Sequence, residues 1–148
     1  MRLPLLLLAL LAAGCNPRPP QETAAATSPT TPDAPLRETR WVLRQLAGRP
    51  VTVPANTREA FLTLRADGSA EGNGSCNRFR GSFFNETASE LKFSPLMSTR
   101  MACPAIETES SFIRALGRAN SYEISGDTLR VLDISGAALA RLEAVYLK

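Results

Sequence analysis

Three tight-turn signatures set the architecture of this chain. Asp67-Gly68, Gly126-Asp127 and Ser135-Gly136 each stand between short apolar stretches, and turns of this kind join neighbouring antiparallel strands. Residues 41–46 read as a first strand, followed by a turn at Gly48 and a short strand at 51–53. Residues 61–64 run into Asp67-Gly68 and continue at 70–72; segments 79–84 and 91–93 follow. The end of the chain is a meander of 122–125, 129–134 and 138–146. In its last strand Ala140, Leu142, Ala144 and Tyr146 alternate onto one face, with Arg141 and Glu143 opposite. Gly72 and Gly74 mark a bulge or a close backbone approach.

One segment has a different period. Across 104–117, Ile106, Phe112, Ile113 and Leu116 recur at helical spacing. Glu107 and Glu109 fall near the start, where the helix dipole favours acidic groups. Pro104 suits the first helical position and Gly117 a stop. The expectation is roughly seven to nine short strands and one helix of about three turns. Short hairpin-linked strands escape exposed edges by curling. The fold class predicted is therefore β-rich α+β, a small curved antiparallel β half-barrel covered by one helix.

The N-terminal residues belong to no core. Arg2 is the only charge in 1–14, and Leu3 to Ala13 is an almost unbroken apolar run ending in Gly14-Cys15. That run covers about half of a 30 Å hydrocarbon core, which suits a cleaved leader and not a membrane span. Leu11-Ala12-Ala13-Gly14-Cys15 resembles a bacterial lipobox, although Ala12 stands where a larger aliphatic is usual. By that resemblance Cys15 is acylated (a palmitate-type lipid), anchoring the chain to a bilayer in an oxidising compartment. By resemblance to enteric lipoprotein sorting, where Asp after the cysteine retains the protein in the inner membrane, Asn16 favours the outer membrane, facing the periplasm. From Asn16 to Leu36 the chain is Pro, Thr, Ala and Ser, with no apolar side chain larger than alanine before Leu36. Such a segment cannot form a core and reads as a disordered tether, spanning about 25 Å as a coil and 65 Å extended. The division expected is 1–14 leader, 15–37 lipidated cysteine and linker, and 38–148 folded domain, beginning near Thr39.

Composition excludes several function classes. The net charge of +3 is spread along the chain without a basic run, so no nucleic-acid footprint exists. Histidine is absent, which removes Ser-His-Asp and Cys-His nucleophiles and most zinc sites. Gly72-Asn73-Gly74-Ser75-Cys76-Asn77 lacks the third glycine of a dinucleotide loop and the lysine of a phosphate loop. The chain is read as non-enzymatic, with no cofactor and no metal. Cys76 and Cys103 carry three readings: a disulfide, two buried thiols, or, with Met97 and Met101, a soft set suited to copper or redox handling.

Two motifs carry a wider resemblance. Cys76-Asn77-Arg78-Phe79-Arg80-Gly81 and Met97-Ser98-Thr99-Arg100-Met101-Ala102-Cys103, followed by Glu109 and Phe112, are similar to the META domain of HslJ-like heat-shock lipoproteins. The likeness runs from Trp41 to the end. It implies a half-barrel with a helix, no known catalytic site, and an envelope role linked to heat shock and novobiocin tolerance, with a fold similar to pilotins. The function expected is binding or assembly support in envelope stress, through an apolar groove beside the helix. The partner is an unidentified envelope protein or hydrophobic ligand. Asn77, Arg78 and Arg100 are polar residues inside the motifs and possible binding contacts; turn and helix-end hydrogen bonding is their plainer role.

Overall fold

The computed structural model describes residues 32–146. The leader, the lipidation expected at Cys15 and the tether up to residue 31 lie outside the described residues.

Among the described residues ten strands surround one helix: β1 (Arg40–Leu46), β2 (Arg49–Pro50), β3 (Phe61–Leu64), β4 (Ser69–Asn73), β5 (Arg78–Phe84), β6 (Lys92–Phe93), β7 (Met97–Ser98), α1 (Ile106–Gly117), β8 (Ser121–Ser125), β9 (Thr128–Leu132) and β10 (Ala138–Val145). Every pairing is antiparallel. The order across the sheet is β6-β5-β4-β3-β1-β10-β9-β8, with β2 on β1 and β7 on β5. The first and last long strands are thus neighbours at the centre of the sheet. Its two outer edges curl round until they touch at one bridge, Glu90 with Ser121. There the Tyr122 N–H donates to the Ser89 carbonyl at 2.9 Å and the Leu91 N–H to the Asn120 carbonyl at 3.2 Å. The sheet is curved but does not close into a barrel.

Strand alternation sorts the side chains. Trp41, Leu43, Leu62, Leu64, Ala70, Phe79, Phe83, Leu129, Val131, Ala140, Leu142 and Ala144 line the concave face and are buried. Helix α1 fills the hollow with Phe112, Ala115 and Leu116. Burying one such leucine or phenylalanine contributes about 1.5–3 kcal/mol. The Phe112 ring meets Phe79 edge-on, with centroids 5.9 Å apart. Gly72 stands between Leu62 and Phe79 in register. A Cβ there would run into the Phe61 carbonyl and the Phe79 ring, so the close approach expected at this glycine is real.

Several elements differ from the sequence expectation. Pro104 precedes the helix, which starts at Ile106 after the Ile106 N–H bonds to the Cys103 carbonyl at 3.2 Å. Residues 51–53 are not a strand. The chain turns tightly at Ala47 (φ 46°) and Gly48 (φ 77°), so pairing uses Arg49 and Pro50. Strand β7 is an addition, too short to show any period and held in place by β5. Tyr146 leaves the core face beyond β10 and is exposed, its hydroxyl donating to Asp127 Oδ1 at 2.8 Å.

The folded part also begins before Thr39. Ala34 is buried, its N–H donating to the Gly126 carbonyl at 2.9 Å, while the Gly126 N–H donates to Asp33 Oδ1 at 2.7 Å. Trp41 Nε1 donates to the Leu36 carbonyl at 2.9 Å. Residues 33–37, compositionally part of the tether, therefore strap onto the β8–β9 turn. That strap marks one end of the sheet. The β1–β2 and β4–β5 turns stand at the other.

Candidate functional site

At the end opposite the strap, Cys76 and Cys103 are joined by a disulfide, with Cα atoms 5.8 Å apart. It fastens the β4–β5 turn to the segment entering α1. The copper and redox reading loses the two thiolates on which it was built. Met97 and Met101 remain as exposed thioethers. Among the described residues no group of three or more His, Cys, Asp or Glu side chains is gathered as a ligand set.

Beneath the disulfide lies a buried polar latch. Glu109, 4% exposed, points from the first turn of α1 into the β4–β5 turn. Its Oε2 accepts the backbone N–H groups of Asn77 at 2.6 Å and Cys76 at 3.2 Å. Its Oε1 accepts Asn77 Nδ2 at 2.8 Å and the Ser98 hydroxyl at 3.4 Å. Asn77 completes the network. Its Oδ1 accepts the Met101 N–H at 2.7 Å and the Thr99 hydroxyl at 3.0 Å, and Nδ2 also donates to the Met101 carbonyl at 2.9 Å. A Cβ at Gly74 would fall on the Glu109 side chain, which is why a glycine stands there. Ser75 has a φ of 97°, uncommon for a residue with a side chain; Asn73 Oδ1 holds it by accepting its N–H at 2.8 Å.

Outside this latch the convex face of the sheet carries a groove of about 930 Å³. Cross-strand registry builds its floor. Phe61, Asn73 and Arg78 form one row, and Glu71, Arg80 and Met97 a second. Arg40 of β1, Arg58 and Glu59 of the loop before β3, and Ser98 and Thr99 form its sides. A second cavity of about 440 Å³ continues over the disulfide and shares Arg58, Asn73, Arg78 and Thr99 with the first.

Charge in this groove is one-sided. Four arginines face two glutamates, and both glutamates are already occupied from outside it. Glu59 bonds Arg44 at 2.8 Å, and Glu71 bonds Arg65 Nε at 2.8 Å. The hydrogen bond from Arg65 holds the Glu71 carboxyl below its ordinary range, so that partnership persists at neutral pH. Arg80 reaches Glu71 only at 3.5 Å. Among the described residues Arg40, Arg58 and Arg78 form no ion pair. The Arg40 guanidinium lies 3.5 Å over the Phe61 ring centre. Stacking engages its face and leaves its in-plane N–H edge free.

The sequence candidates separate here. Arg78 lines both cavities. Asn77 is 1% exposed and committed to the latch, so its part is to hold the turn. Arg100 is exposed and lines neither cavity. The apolar face of α1, where a groove was expected, is packed into the sheet; the large cavity lies on the opposite face, lined by charged and polar side chains together with aromatic ones. Arg40, Arg58 and Phe61 carried no site signal in the sequence, and Arg80 stood inside a family motif without being singled out, since registry and a loop bring the four together. Glu109 did carry one. It shares the spacing of Phe112 and Leu116, an acid on an apolar stripe, which a buried acceptor explains better than a dipole contact.

A family model described as META domain matches residues 34–146. The NMR structure of a protein from Burkholderia xenovorans is similar at 26% identity, covering 88% of this chain and 99% of that one, with a TM-score of 0.60. A second NMR structure is 23% identical over 72% of this chain and 90% of its own, with a TM-score of 0.55, a likeness of fold alone. None of the curated proteins matches the chain.

Proposed function

The chain belongs to the META domain family, and from that premise we propose that it is a lipid-tethered periplasmic lipoprotein, a non-enzymatic binding or assembly-support module of the envelope stress response. The observation that carries this reading is the pairing of two features. One is an apolar leader ending in Gly14-Cys15 and followed by a Pro/Thr/Ala tether. The other is a folded domain whose outward face offers a large groove lined by four arginines, of which Arg40, Arg58 and Arg78 have no ion pair among the described residues. A tether needs a domain that acts on something within reach, and the groove is the surface built to do so. The Cys76–Cys103 disulfide suits an oxidising compartment. The absence of histidine removes the commonest acid–base catalyst. Outer-membrane placement rests on Asn16 alone.

Intact-mass measurement of the mature protein, with fractionation of a Cys15→Ser variant, tests the tether. Acyl mass on a chain starting at Cys15, and loss of the mature membrane-bound form in the variant, are expected. A mature mass with an unmodified Cys15 would refute the tether. Native mass spectrometry after gentle extraction tests binding, through a co-purifying molecule displaced by high salt. Protein recovered bare under normal growth and heat shock alike counts against the binding role.

A further inference from the structure

The groove has two chemically different halves. Arg58 and Arg78 line both cavities and so stand at their junction, beside the Asn73 and Thr99 side chains. Asn73 is 4% exposed, and its Oδ1 is taken by the Ser75 N–H. No sealed side-chain nitrogen or oxygen among the described residues lacks a partner. The amide nitrogen of Asn73 is therefore the part that opens to the groove, as a further donor. The larger cavity alone contains the Arg40–Phe61 stack. One half is thus a set of hydrogen-bond donors carrying positive charge. The other is a flat platform, one face of a guanidinium backed by a ring.

We propose that this groove binds a phosphomonoester attached to a flat or cyclic body. The phosphate sits between Arg58 and Arg78, and the ring lies on the Arg40 stack. This rests on the binding-module reading and names its ligand class. A guanidinium offers two parallel N–H groups that match two oxygens of one anion. A carboxylate saturates one such fork, whereas a doubly charged phosphate has oxygens for two. Glu59 and Glu71 make their shortest contacts to Arg44 and Arg65 outside the groove, arginines they share with Glu143 and Glu38, and neither carboxylate pairs with Arg58 or Arg78. A bound phosphate also gives an anionic partner to Arg58 and Arg78, which have no ion pair among the described residues. The platform separates this site from a general anion patch, since a ring stacked on Arg40 is recognised by shape as well as charge.

Calorimetric titration of the full mature protein in neutral detergent tests the assignment. The probes are phenyl phosphate, glucose 6-phosphate, inorganic phosphate, dihexanoyl phosphatidic acid and neutral phenyl glucoside. The first two are expected to bind about tenfold tighter than inorganic phosphate, with phenyl glucoside not binding. Arg58→Gln and Arg78→Gln each weaken both ring-bearing phosphates by about tenfold, and Arg40→Gln removes their advantage over inorganic phosphate. None of the three side chains is buried, and an unchanged melting temperature verifies folding. Short-chain phosphatidic acid binding no better than inorganic phosphate places the ligand among sugar or aryl phosphates. Binding as tight as that of phenyl phosphate overturns the ring half of the proposal. The site is overturned if the arginine variants bind phenyl phosphate as wild type does. If native mass spectrometry finds a cellular ligand that survives Arg58→Gln/Arg78→Gln, this assignment fails while the binding role stands.

Discussion

Replacing Glu109 by Gln keeps the shape of the side chain and changes one oxygen into a donor. The amide oxygen has to stay where Oε2 is, because two backbone N–H groups, of Asn77 and Cys76, point at it. The new NH₂ then faces Asn77 Nδ2, itself a donor, at the position where a 2.8 Å bond stood. Turning the Asn77 amide over does not help, since its Nδ2 would then confront the Met101 N–H that Oδ1 now accepts at 2.7 Å. Either way one buried donor meets another. Losing a hydrogen bond to a carboxylate and stranding a donor together cost about 3 kcal/mol. For a domain of this size that lowers the melting temperature by roughly 10 °C. Glu107→Gln, at an exposed position in the same helical turn, is the control and should change stability by less than about 0.5 kcal/mol. Urea denaturation of both variants, followed by the fluorescence of buried Trp41, measures the difference. If Glu109→Gln unfolds within about 1 kcal/mol of wild type, Glu109 does not hold the turn and the latch is misassigned.

Other consequences of the same geometry can be measured. The disulfide joins residues 27 apart, so its reduction should remove about 3.6 kcal/mol by loop entropy, read as a lower urea midpoint with dithiothreitol; an unchanged midpoint would mean that the latch alone closes the loop. Gly74→Ala should destabilise by about 2 kcal/mol through the Glu109 collision, and less in a Glu109→Ala background; additivity of the two would disprove the contact. Stability should fall on acidification. Backbone donation from Ala66 lowers the pKa of Glu38, the Arg65 side chain lowers that of Glu71, and the Ser135 hydroxyl lowers that of Asp133. Stability gained from a depressed carboxyl is complete above its unfolded pKa and is lost as pH falls through the folded one. Lys92 is raised by Glu90, so its share is complete below its unfolded pKa and is lost only as pH rises through the folded value. Melting temperature should therefore hold level between about pH 6 and 9 and decline below about pH 4; a midpoint near neutrality would contradict this.

The sequence carried the fold more fully than the site, for a physical reason. Turn chemistry and alternation are local, so Asp67-Gly68, Gly126-Asp127 and the 3.6-residue period around Phe112 and Leu116 could be read directly. The central pairing of β1 with β10 is long-range, and no local signal announces it. Strand β7 has two residues and owes its conformation to Phe79 and Arg80 across the ladder. The groove depends wholly on registry. Phe61, Asn73 and Arg78 are scattered in sequence and become a row only once three strands align. The family motifs pointed to Asn77 and Arg78 as adjacent candidates. Asn77 ends the β4–β5 turn and is held inward by the latch, whereas Arg78 opens β5 and faces the groove.

The strap at Asp33 and Ala34 has a mechanical consequence. Any pull arriving from the N-terminal side is first borne by the two hydrogen bonds at the Gly126 turn. Once those part, the load passes through Leu36, Arg37 and Glu38, held by Trp41, Asn85 and the β3–β4 turn, and then to β1, which is flanked by β10 and β3. Its ladder bonds run perpendicular to the strand, so tension along β1 must slide them all together instead of unzipping them in turn. The strap thus acts as a weak fuse ahead of a strong joint, letting the domain yield a short length of chain while its interior and its convex face stay intact.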